Sequence, residues 1–161
     1  MKRTARIAAA PLLLTAMALG ATAARAGNDP APDGAAIYKR CAACHTATGA
    51  GVPGIYPPLA ADFRAQAADK AGRRFLALAV IKGLMGPVSI GGKTYNGVMP
   101  AQAGLDDASV AAVLNHVGTR IATTGPRFVP FTPAEVAAAR ASGAGLSAGA
   151  VAKLHPAGPG K

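Results

Sequence analysis

The sequence predicts an all-α domain of three to four helices with one small hairpin. Three observations carry this. Apolar residues recur at helical spacing behind capping residues in the middle of the chain, a further capped segment follows near the C-terminal end, and β-type residues gather around a single Gly-Gly pair. The 161 residues leave room for one ordinary domain plus extensions, which speaks against a two-domain enzyme. Aromatic residues make up only 4% of the chain and Trp is absent, so the side chains alone make a thin core. Something else is expected to fill the interior.

Residues 1–26 read as an export signal. Lys2, Arg3 and Arg6 precede an apolar stretch from Ile7 to Leu19, and Ala24-Arg25-Ala26 offers a small-residue cleavage site before Gly27. The apolar stretch is broken by Pro11 and Thr15 and is shorter than the roughly 20 residues a membrane span requires. The expected product is a periplasmic chain of residues 27–161 with no transmembrane segment after cleavage; a retained leader acting as a tether is the alternative. Loss of Lys2, Arg3, Arg6 and Arg25 leaves 13 basic against 7 acidic residues, a net charge of +6 in place of +10. No like-charge run or interleaving of aromatic and basic residues suggests nucleic acid. Moderate positive charge suits an acidic protein partner or an anionic membrane surface.

The mature chain divides into a lead-in (27–32), a central domain (33–124) and a C-terminal extension (125–161). Asp33 caps a first helix over about Gly34 to Cys44. A second helix runs from about Asp69 to Leu84, with Phe75, Leu76, Ala79, Val80 and Leu84 on one face and Gly83 and Gly86-Pro87 to end it. Val88 to Tyr95, interrupted by Gly91-Gly92, suggests the hairpin. A third helix follows Asp106, with a stripe of Val110, Val113, Leu114, Val117 and Ile121. In the extension, Thr132-Pro133-Ala134-Glu135 is a capping box for a short helix through Arg140. Beyond it, a Gly-, Ala- and Ser-rich stretch to Lys161 has few large apolar groups and is expected to be flexible.

The chemistry sits in Cys41-Ala42-Ala43-Cys44-His45. Two thiols at this spacing can each add to a vinyl group of a haem, and the His that follows lies under the iron. A disulfide is one alternative. A thioredoxin-like redox pair would want a neighbouring βαβ pattern, and a zinc site a second ligand pair. The sequence offers neither.

Around this motif the chain resembles the class I c-type cytochromes over about Asp33 to Ala122. The resemblance begins with Gly-Ala-Ala-Ile-Tyr ahead of Cys41 and ends with Val113-Leu114-Asn115-His116-Val117. Two separated motifs strengthen it: Pro57-Pro58-Leu59 is similar to the family's proximal turn, and Tyr95-Asn96-Gly97-Val98-Met99-Pro100 to its sixth-ligand loop. The resemblance implies a cytochrome c fold around one covalent haem c, with the hairpin before the Met loop. It implies iron ligation by His45 and Met99, Pro57 as carbonyl partner of His45, and Leu59 and Tyr95 against the cofactor. In the family an aromatic residue commonly stands four positions before the first Cys; here Ile37 stands there and Tyr38 follows.

The list of second axial ligands is short. Met85 and Met99 are the methionines after the leader, and His116 and His155 the other histidines. Met85 beside Gly86-Pro87 reads as packing, His116 as a partly exposed residue of the third helix, and His155 as part of the loose tail. Met99, in a Gly- and Pro-bounded stretch, suits presentation to iron, and a neutral thioether favours the reduced state.

The function expected is single-electron transfer between a donor and an acceptor protein, with no catalytic residues. Lys39, Arg40, Arg73, Arg74, Lys82 and Lys93 are candidates for a ring that steers an acidic partner. A second reading is a dedicated cytochrome subunit of a periplasmic dehydrogenase or nitrite reductase; a third, a haem sensor or peroxidase with an open iron site.

Overall fold

Five short polar side chains start the longer helices by accepting hydrogen bonds from backbone N–H groups that have no partner within the helix. Asp33 takes those of Ala35 and Ala36, Asp69 those of Ala71 and Gly72, Asp106 that of Ser109, Thr132 that of Glu135, and Ser147 that of Ala150. The structure, a computed structural model, describes residues 30–156; the export signal and cleavage site expected from the sequence lie outside the described residues. The helices are α1 (Gly34–Tyr38), α2 (Ala42–His45), α3 (Phe63–Gln66), α4 (Lys70–Lys82), α5 (Asp107–His116), α6 (Pro133–Ser142) and α7 (Ala148–Ala152). Strands β1 (Leu84–Ile90) and β2 (Lys93–Met99) form one antiparallel hairpin, paired from Leu84 with Met99 to Ile90 with Lys93 across Gly91-Gly92.

The described residues are 44% helical with 13% strand, so all-α describes the domain only roughly. The hairpin is longer than Val88 to Tyr95. Met85, Gly86, Pro87, Gly97 and Val98 carry no alternating pattern, yet the register extends the ladder through all of them.

Further differences follow from tertiary contacts. The expected first helix is two, α1 and α2. Tyr38 turns into the core against His116, with ring centroids 5.3 Å apart, and its hydroxyl donates to the Thr46 carbonyl at 2.8 Å. A turn over Lys39–Cys41 separates α1 from α2. Tyr38, not Ile37, is therefore the buried member of the pair, with Ile37 packed at the core edge. Helix α5 continues into a π-helical turn over Val117–Ile121, and α3 is an element that the sequence pattern does not signal.

The largest departure is the extension. The described part of the stretch expected to be flexible, up to residue 156, folds: α7 packs on β1 and α4, and Val151 is fully buried with Phe75, Leu78 and Ala79. Apolar content per residue is low there, but its few large groups all point inward. Helix α6 lies on α5 and α4, with Val136 and Ala139 buried in the main cluster beside Val110, Val113, Leu114 and Phe131. Among the described residues no helix is long and apolar enough to cross a membrane.

Candidate functional site

Helix α2 is a single turn, and its length sets what it can present. Cys41, at its N-cap, and Cys44 are free thiols, and His45 closes the turn as a buried residue. Residues 41, 44 and 45 thus reach one side of one turn and line the same cleft.

The loop after His45 holds the ring. Gly51 N–H donates to the His45 carbonyl at 2.9 Å, Val52 and Tyr56 form a bridge, and Leu59 N–H donates to Gly49 at 2.8 Å. A Cβ on Gly51 would lie 2.3 Å from the Tyr56 oxygen and 2.6 Å from that of Pro57, so only glycine allows this fold-over. The result is that Pro57 O lies 3.0 Å from His45 Nδ1. A ring nitrogen facing a carbonyl must donate, which leaves the Nε2 lone pair free for a metal. Burial lowers the His45 pKa, opposed by the Pro57 bond, and keeps the imidazole neutral.

Met99 lines the same cleft. It is not in a loop: it ends β2, opposite Leu84. Gly83 decides this placement. It terminates α4 with φ 71°, and a Cβ there would lie 2.3 Å from the Met99 carbonyl oxygen. The chain can reverse from α4 into β1 and lay β2 beside the helix end only with glycine at 83.

These parts enclose one cleft of about 680 Å³, within the roughly 300–1,000 Å³ common for bound cofactors. Cys41, Cys44, His45, Pro57, Leu59, Tyr95 and Met99 all line it. So do Phe75, Leu76, Val80, Val113, Leu114 and Val117 from α4, α5 and the turn beyond, which makes the wall largely apolar. A donor set of two thiols, one neutral imidazole and one thioether around an apolar slot fits a covalently attached haem. Burial pushes the Cys41 thiol pKa up, with Arg40 opposing and Cys44 adding, and the Tyr38 phenol is pushed up to about 12 by its own burial, with Cys41 adding. Both groups are accordingly protonated at neutral pH.

Met85 is exposed at the surface, so it is not the pocket-filling residue its position suggests. His116 packs on Tyr38 away from the lining. His155 is not loose; its side chain is buried behind Gln66 and Phe75. The cleft also includes two residues with no local signal in the sequence, Asp62 and Gln66.

Three of the six proposed steering cations are engaged elsewhere. Arg73 is paired with Glu135, Arg74 is bonded to Ser142, and Lys82 donates to the Ala144 carbonyl at 2.8 Å. They hold the extension rather than facing a partner. Lys39, Arg40 and Lys93 are exposed, and Arg40 lies at the cleft. The mouth also carries Ile55, Tyr56 and Val98, all exposed.

Residues 31–120 match the family model described as Cytochrome c. Two relatives are cytochrome c-552 proteins, both from Thermus thermophilus. Each is 45% identical to this chain over 111 residues, 68% of this chain and 85% or 75% of the relative.

Proposed function

The chain belongs to the cytochrome c family, and from that premise we propose that it carries single electrons between periplasmic redox proteins through one covalent haem c. The observation that supports this most is the convergence of Cys41, Cys44, His45 and Met99 on one largely apolar cleft. When bound, the haem supplies an iron that alternates between ferrous and ferric states, the family's electron-transfer chemistry.

The residues do the rest. The Cys41 and Cys44 thiols would hold the haem by adding across its vinyl groups, sulfur to one carbon and hydrogen to the other, with no net redox change. His45 offers Nε2 to the iron while Pro57 fixes the tautomer. Met99, which lines the same cleft, would offer its thioether as the second ligand, a neutral donor that raises the reduction potential. If His45 and Met99 both bind the iron, no position would be left for a substrate, which separates this reading from a sensor or peroxidase. The apolar walls from α4 and α5 exclude water and keep the environment rigid between the two charge states.

The periplasmic location rests on the leader at residues 1–26. Partner docking uses the mouth of the cleft, where Ile55, Tyr56 and Val98 supply apolar contact and Arg40 positive charge, with the exposed Lys39 and Lys93 adding to the attraction of an acidic partner.

The test is an absorption spectrum of the oxidised holoprotein together with extraction into acidified acetone. The expected result is a weak long-wavelength band from thioether-to-iron ligation and pigment that stays with the polypeptide. A colourless protein after extraction overturns the covalent reading, and a high-spin spectrum with ready carbon monoxide binding overturns the ligand set.

A further inference from the structure

Thr46, the residue after His45, is held in a conformation that threonine resists. It closes α2 with φ 65° and ψ 165°, and among the described residues it is the one non-glycine residue with a positive φ. A branched side chain crowds the backbone there, so such a residue persists only where its surroundings impose the shape. Four neighbours do so. The Thr46 N–H donates to the Ala42 carbonyl at 2.9 Å, and its hydroxyl oxygen accepts from the Ala50 N–H at 3.1 Å. Its carbonyl accepts from the Gly49 N–H at 3.2 Å and from the Tyr38 hydroxyl at 2.8 Å.

Three of these contacts are local to the turn and move with it. The fourth is anchored elsewhere. Tyr38 lies on α1, is 4% exposed and rests against His116 of α5, so the packing of α1 on α5 fixes where its hydroxyl stands. A phenylalanine would fill the same space against His116; what tyrosine adds is the bond to Thr46.

The turn matters because the residues after it seat the imidazole. The His45 carbonyl accepts from the Gly51 N–H at 2.9 Å, and the Pro57 carbonyl lies 3.0 Å from His45 Nδ1. Thr46 is the joint between His45 and the loop that brings Pro57 back to it.

We infer that Tyr38 is a positioning residue for the iron ligand: its hydroxyl braces Thr46 in the left-handed conformation and so keeps the Pro57 carbonyl on His45 Nδ1. This rests on the haem reading given above. A firm bond at Nδ1 makes the imidazole a more basic ligand, which favours the ferric state. Without the brace Thr46 relaxes toward negative φ and the loop shifts, so the bond to Pro57 weakens. The midpoint potential then rises, and the Nδ1 proton exchanges with solvent sooner. Glycine adopts a positive φ at no steric cost, so with glycine at position 46 the brace is no longer needed.

The test uses the holoprotein as wild type, Tyr38→Phe, Thr46→Gly and the double variant, each first shown to keep its pigment on acid-acetone extraction. The midpoint potential is measured beside the exchange of the His45 Nδ1 proton, followed by NMR in the reduced state. Tyr38→Phe is expected to shift the potential upward and to speed the exchange, whereas Thr46→Gly and the double variant are expected to match wild type. The inference is overturned if Tyr38→Phe does not move both readings this way, as when the hydroxyl serves stability alone and only the melting temperature falls. It is also overturned if the double variant keeps the shift of Tyr38→Phe. Should Tyr38→Phe fail to fold, the double variant decides: it folds with the wild-type readings, or the inference fails. Loss of pigment from wild type on extraction is a different outcome, and it defeats the haem reading instead.

Discussion

Arg73 on α4 and Glu135 in the first turn of α6, 62 residues apart, meet in a two-pronged ion pair, Nε to Oε1 at 2.5 Å and Nη2 to Oε2 at 2.7 Å. The guanidinium also sits 3.9 Å over the Phe131 ring and donates to the carbonyls of Ala67, Val129 and Pro130. One side chain thereby ties the extension to the central domain. Paired geometry and a stacked face are what arginine supplies and lysine does not.

Glu135→Gln is expected to destabilise the protein by roughly 1–2 kcal/mol, discounted for partial exposure of the carboxylate. The bond to Arg73 is the main cause holding the Glu135 pKa below the usual carboxylate range, with burial opposing. A depressed pKa contributes stability that is present above the unfolded value, about 4.3, and lost as pH falls through the folded one. Urea unfolding at several pH values checks this: the gap between wild type and variant should close in acid.

Asn115→Ala should cost roughly 2–4 kcal/mol. The Asn115 side chain accepts from the Phe131 N–H at 2.6 Å and donates to the Phe131 carbonyl at 3.0 Å, so its removal strands two backbone groups at a buried residue. The same unfolding assay measures it, and Asn115→Asp, which keeps only the acceptor, should recover part of the loss.

Gly34→Ala should be destabilising by roughly 1–3 kcal/mol although alanine is the better helix former. A Cβ at position 34 would lie 2.2 Å from the Ala112 carbonyl oxygen, where α1 crosses α5. Thermal melts of the two proteins decide it; an unchanged or higher melting temperature would show that the helices can move apart.

Met99→Ala should remove the long-wavelength band, open the iron to carbon monoxide and lower the reduction potential, while leaving the thioether bonds intact. Met85→Ala, at an exposed position on β1, should change none of these. Spectra and potentiometry of the pair separate ligand loss from general damage.

With Arg73, Arg74 and Lys82 committed to the extension, the electron-transfer rate with an acidic partner should fall only modestly with added salt. Stopped-flow rates across ionic strength test this. A steep dependence would mean that Lys39, Arg40 and Lys93 carry more of the encounter than their number suggests, and Ile55→Ser should then have little effect.

Much of the site is legible in the chain because its parts are local. Cys41, Cys44 and His45 fall within one helical turn, and the cleft lining includes Pro57, Leu59, Tyr95 and Met99 as the motifs propose. The caps at Asp33, Asp106 and Thr132 are legible for the same reason, since each acts on N–H groups two or three residues away. Tertiary structure alone decided what depends on distant pairings. The extension orders because Arg73, Arg74 and Lys82 bond to it and Val151 finds Phe75 and Leu78, and no residue within the extension announces those contacts. Gln66 and His155 meet across 89 positions. Composition measures how much apolar surface a segment owns, whereas folding depends on where that surface is buried and which charges lie opposite it.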